Sequence, residues 1–126
     1  MPIHGLCADL PPPGPGVLQI HSVRDGGTHR IRLAGELDLT TADGVEQELR
    51  RVELTDAHVI LVDLRELTFI DSMGVRMLFH AGMRSSQGTD RLVLTRGSTA
   101  VQRIFDICDL TTRMPFVDEP GGTLGA

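Results

Sequence analysis

Apolar and polar positions divide the chain into short segments with different repeat lengths. VLQIHSV (17–23) and HRIRLAGEL (29–37) flank Asp25-Gly26-Gly27, which predicts a β-hairpin. In the second segment Ile31 and Leu33 alternate with Arg30 and Arg32, giving that strand one buried face. The period then changes. Ala42, Val45, Leu49 and Val52 recur at helical spacing. Thr40 or Thr41 is positioned to cap this helix, and Asp43 and Glu46 suit its positive end. Gly44 weakens it without abolishing it.

HVILVDL (58–64) is apolar without alternation, as expected of a strand covered on both faces. A second helix follows Asp71-Ser72, and RLVLTRG (91–97) reads as another short strand. Ser98 is the expected cap of a third helix, with Val101, Ile104, Phe105 and Cys108 at i, i+3, i+4 and i+7. MPFV (114–117) supplies a last edge strand. The order β-β-α-β-α-β-α-β implies parallel pairing with right-handed crossovers, hence an α/β layered domain with a mixed, mostly parallel sheet. This domain is expected over residues 16–118. Residues 1–15 end in DLPPPGP and are expected to form a flexible, extended leader; the glycine-rich residues 119–126 are expected to form a tail.

Composition narrows the function classes. The chain has 126 residues and a net charge of -5, enough for one domain with its own core. It contains four Phe and no Trp or Tyr, so the core rests on Val, Leu, Ile and Met. All 12 basic residues are arginine, and they form no stripe that would track nucleic-acid phosphates. Without lysine there is neither a Walker-type phosphate lysine nor Schiff-base chemistry. No apolar run is long enough to span a bilayer and no export signal opens the chain, so a cytoplasmic location is expected. Cys7 and Cys108 are too few for a disulfide framework.

The candidate chemistry lies in LTFIDSMGVRMLF (67–79), where an apolar strand runs through Asp71-Ser72 into a helix. Steps of 100° from Ser72 gather Val75, Leu78, Phe79 and Gly82 into a core stripe. Met73, Met77, His80 and Arg84 collect opposite, which predicts two solvent-facing methionines suited to a partner protein. Ser72 has three readings. As a helix cap, Asp71 or Ser72 is ordinary. As a nucleophile, Ser72 lacks the G-x-S-x-G context and any base placed by sequence. As a phosphate acceptor, it sits where free N–H groups and the helix dipole tolerate negative charge.

Other clusters are weaker. His21 and His29 lie on adjacent strands of the expected hairpin and could approach each other, but zinc needs more ligands at tighter spacing. Asp63 and Glu66 read as surface acids before a turn, not as an acid–base pair. No metal or cofactor is implied.

The chain from Val17 to Val117 resembles a STAS domain of the anti-anti-sigma factor type. The resemblance is carried by GELDLTTAD (35–43), VILVDL (59–64), FIDSMGVRML (69–78) and TRGSTAVQRIFDICDL (95–110). It implies a non-enzymatic switch that binds an anti-sigma factor with serine kinase activity and a histidine-kinase-like ATP-binding fold, and so frees a sigma factor. It also implies that Ser72 is the phosphoacceptor and that a metal-dependent serine phosphatase reverses the modification. Carried over residue by residue, Asp71 shapes the site, Gly74 permits close approach, and Asp38 borders the same surface, which Met73 and Met77 extend. Met73 departs from the family, which more often has Ser, Ala or Thr there. The same fold also serves as an accessory subunit of transporter or lipid-trafficking ATPase complexes and as a nucleotide-sensing module. Neither nucleic acid nor membrane is an expected partner.

Overall fold

The computed structural model describes residues 17–88 and 91–117. The expected leader and tail, with His4 and Cys7, lie outside the described residues.

A five-stranded sheet in the order β1-β2-β3-β4-β5 carries three helices. β1 (Leu18–Asp25) and β2 (Thr28–Leu37) form the antiparallel hairpin, with Asp25 paired to Thr28 across Gly26-Gly27. Gly26 turns the chain at a φ of 61°, a conformation glycine adopts without strain. β3 (Val59–Ile70), β4 (Leu92–Thr95) and β5 (Phe116–Val117) add on in parallel. The helices α1 (Ala42–Glu53), α2 (Ser72–Gly88) and α3 (Thr99–Ile107) connect these parallel strands. The mixed, mostly parallel α/β layering read from the sequence is the observed fold.

β2 alternates as its sequence dictates, burying Ile31, Leu33 and Leu37. Val45, Leu49 and Val52 of α1, with Val101 and Phe105 of α3, complete the core on the expected stripes. Phe105 meets Phe116 edge-on with ring centroids 5.1 Å apart. Ser98 caps α3 by accepting a hydrogen bond from the Val101 amide.

β3 is longer than its apolar run. From Ile60 to Leu64 every residue is buried, and the strand then continues to Ile70. Its register against β2 slips between Arg32 and Ala34 and again between Gly35 and Glu36, with one extra residue on β3 each time. Each slip resets the inward–outward alternation. Leu64, Leu67 and Ile70 are therefore all buried at a spacing of three, which a regular strand would not allow.

Three local expectations are corrected. Neither Thr40 nor Thr41 caps α1 with its side chain; Thr41 occupies the cap position, but its hydroxyl donates to the Glu36 carbonyl instead. His21 faces Arg32 across the hairpin and His29 faces Arg24, so the two rings are three register positions apart on opposite faces. Asp63 is buried, not a surface acid: Arg65 and Thr95 donate to it, whereas Glu66 turns outward towards Arg32. Burial opposes ionisation of Asp63, but these donors outweigh it and hold its carboxyl below the ordinary range.

His29 gives the fold a pH dependence. It is buried, its Nε2 lies 2.8 Å from the Ser22 hydroxyl oxygen, and burial, with nearby Arg51 and Arg24, holds its pKa below the ordinary 6.5. A lowered folded pKa means that the unfolded chain takes up the proton first as pH falls. Stability from this group is thus full above about pH 6.5 and is lost as pH drops towards the folded value. Urea midpoints at pH 7.5 and 5.5 should show a smaller acid loss for His29→Gln than for the wild type.

Candidate functional site

The site forms where the ends of β2 and β3 meet. Beyond β2, Asp38 organises the turn into α1: its carboxylate accepts from the Thr40 amide at 2.9 Å, the Thr40 hydroxyl at 2.7 Å and the Thr41 amide at 3.2 Å. The Thr40 hydroxyl is the main cause of a carboxyl held below its ordinary range, and the Thr40 and Thr41 amides help it outweigh the opposing cost of desolvation. The charge of Asp38 is thus spent on shaping the loop beside Asp71. This loop carries Leu39 at its tip, 66% exposed.

Asp71 ties that loop to α2. One carboxylate oxygen accepts from the Gly74 amide at 2.9 Å, which makes Asp71 the N-cap of α2. The other accepts from the Leu39 amide at 3.1 Å. The Asp71 backbone amide donates to the Leu37 carbonyl at 3.1 Å, extending the β2–β3 pairing up to the helix mouth. Since Asp71 does the capping, Ser72 is left at the first helical position. It is exposed, and its hydroxyl makes no hydrogen bond among the described residues.

Gly74 is buried, and the close approach it permits is to the domain's own strands. An added Cβ would lie 2.8 Å from Leu37 Cγ and 3.0 Å from both Ile70 Cγ1 and the Leu37 carbonyl oxygen. Gly74 thus seats the first turn of α2 against the sheet; it is not itself a contact surface.

The face opposite the core stripe is corrected too. Met73 is 43% exposed, but Met77 is only 9% exposed and belongs to the core cluster. α1 packs alongside α2 and covers that flank. Arg84 fastens the two helices, with contacts of 3.1 Å to Glu46 and 3.0 Å to Glu53. Between them runs a groove of about 610 Å³, whose lining includes Met73, Met77, Met83, Arg76, His80 and Asp43. Met77 contributes to this groove from within the core.

Sequence reasoning missed two exposed apolar side chains, Leu39 and the 46% exposed Phe69. Leu39 lies in a polar loop sequence. Phe69, two residues after buried Leu67, would share the core face in a regular strand, but the second β3 slip turns it outward. Leu39, Phe69 and Met73 stand on the three segments that converge at Asp71. Among the described residues no group of three or more His, Cys, Asp or Glu is arranged to hold a metal ion, and no helix is long and apolar enough to cross a membrane.

An α/β layered domain with an exposed hydroxyl at a capped helix mouth, next to exposed Met73 and joined to segments that expose Leu39 and Phe69, presents apolar surface of the kind that meets another protein. The chain belongs to the STAS domain family, whose profile matches residues 19–120. An anti-sigma-B factor antagonist of Listeria monocytogenes is 32% identical over 88 residues, covering 70% of this chain and 77% of the relative. An anti-sigma factor antagonist from Mycobacterium paratuberculosis superposes with a TM-score of 0.78 at 19% identity, over 89% of this chain and 95% of the other. The Bacillus cell fate determinant SpoIIAA in its phosphorylated form gives 0.61 at 22% identity, over 82% and 91%. Proteins of this kind act in regulation by binding other proteins, not as enzymes.

The packing at Gly74 and Met73 separates structural from surface roles. Gly74→Ala should lower the unfolding free energy by about 1–3 kcal/mol through overpacking against Leu37. Met73→Ala should change it by no more than about 0.5 kcal/mol. Urea titration of both variants checks the pair.

Proposed function

We propose that this chain is an anti-sigma factor antagonist. It binds an anti-sigma factor that is also a serine kinase, releases the sigma factor held there, and is switched off by phosphorylation of Ser72. A metal-dependent serine phosphatase restores it. The observation that carries this reading is the division of labour at the helix mouth: Asp71 supplies the cap, so the exposed Ser72 hydroxyl is not consumed by the fold. The similarity to relatives named anti-sigma factor antagonists supports the partner class.

The transfer step is balanced by the kinase's own ATP. Ser72 Oγ attacks the γ-phosphorus, the bond to the β-phosphate oxygen breaks, and ADP leaves; the hydroxyl proton passes to a base of the kinase. The product carries about -1.5 to -2 charges beside Asp71. The helix tolerates this, because its first N–H groups and dipole favour an anion there. An interface that covers Leu39, Phe69 and Met73 must desolvate the same charge, which is costly. A loss of about 3 kcal/mol weakens binding roughly 100-fold.

Incubation with cognate anti-sigma kinases and ATP, followed by phosphosite mapping, tests the assignment. Phosphate should appear on Ser72 and be absent from Ser72→Ala. Ser72→Ala should keep its affinity for the kinase, and Ser72→Asp should lose most of it. The assignment fails if the wild type takes up no phosphate at Ser72 and Ser72→Asp binds undiminished.

A further inference from the structure

The two arginines of α2 are in different circumstances. Arg84 is committed to Glu46 and Glu53 of α1. Arg50 and Arg51 of α1 are likewise paired, with Glu46 and Glu48. Arg76 is exposed, lines the α1–α2 groove, and makes no ion pair or hydrogen bond among the described residues. It stands four residues after Ser72 on the same helix.

That spacing has a geometric consequence. Residues i and i+4 of an α-helix share a face, with Cβ atoms about 5–6 Å apart. Helical Cα–Cβ bonds tilt towards the N-terminus, so a long side chain covers the turn before its own Cα. The turn before Arg76 is the one that carries Ser72. An acidic group at i with a base at i+4 is also the favourable order along the helix.

A serine hydroxyl gives the guanidinium little to hold. A phosphoserine at position 72 would offer a dianion with three acceptor oxygens, matched to the planar fork of arginine. Three carboxylates stand on the segments around this position, while Glu46, Arg50, His80 and Arg84 line the groove with Arg76. Asp71 is bonded to the Gly74 and Leu39 amides, Asp38 to Thr40 and Thr41, and Asp43, in α1 across the groove, to Gln47. None of them is paired with Arg76. They raise the cost of a phosphate dianion, and Arg76 is the cation positioned to offset them.

We propose that Arg76 is the internal partner of the phosphate on Ser72. The inference rests on the phosphorylation reading of Ser72 and adds what the modification does to its surroundings. Phosphorylation then changes the docking surface twice: it places a dianion at the helix mouth and withdraws from the groove an arginine that was available to a partner. Arg76 is a positioning residue here and takes no part in the transfer of the phosphoryl group.

The test needs no kinase. Full-length protein with phosphoserine incorporated at position 72 during translation is titrated by ³¹P NMR, as the wild type, Arg76→Lys and Arg76→Gln. Circular dichroism of the unphosphorylated proteins should be identical, since the side chain is exposed. The second phosphate pKa of Arg76→Gln should lie about 0.3 units above that of the wild type, with Arg76→Lys between them. This gap should shrink at about 1 M salt. A difference of less than about 0.1 units, or one that salt leaves unchanged, overturns the proposal. Failure of kinases to modify Ser72 would instead count against the functional reading and leave this titration as an independent result.

Discussion

The site depends on the Asp71 carboxylate, which uses its two oxygens on different parts of the chain. One oxygen satisfies an amide of the first turn of α2, which the helical ladder leaves without a partner. The other holds the loop after β2 through Leu39. The helix start and the loop are thereby fixed to each other, and both to the end of β3. If Ser72 performed the capping, its hydroxyl would turn inward to accept an amide, and the same residue could not present an uncommitted nucleophilic oxygen. The acid before the serine is what sets the serine free.

Packing below the site keeps this arrangement in place. Gly74 lets α2 approach Leu37 and Ile70 to a distance that any side chain would obstruct. Met77, Leu78 and Ala81 then anchor the helix in the core. Ser72 and Met73 occupy the outer side of the first turn, with the groove running away from them between α1 and α2. The rigid part of the domain supplies position, and the exposed part supplies chemistry.

The fold was legible because each element carries its own period. Alternation in β2, the unbroken apolar run of β3 and the i, i+3, i+4 stripes of α1 and α3 need only local information, and each element formed where it was read, with β3 running on to Ile70. The Asp-Ser junction was legible for the same reason, as a polar pair between a strand and a helix. The side chains around it were harder to place, because their exposure depends on tertiary packing. Met77 lies on the outer face of an isolated α2 but is covered by α1. Phe69, two residues after buried Leu67, looks apolar and internal, but the second register slip turns it to the other face. Asp63 reads as a surface acid, yet Arg65 and Thr95 solvate it inside the sheet. Arg76 was open to a purely local argument, since its spacing from Ser72 is visible in sequence. What the sequence lacked was that Arg84, on the same helix, is occupied and that Arg76 has no ion pair among the described residues.

The proposed switch works by charge without refolding. A phosphate at the first position of a helix meets N–H groups and a dipole that stabilise it, so the modification has little leverage on the core. Burying the same charge under a partner removes its water without supplying comparable donors, so the penalty falls mainly on the complex. Exposed Leu39, Phe69 and Met73 give such a partner its apolar contact, and Ser72 lies among the segments that carry them. In the proposed switch, one oxygen governs docking because it makes no hydrogen bond among the described residues and lies inside the area a partner would cover.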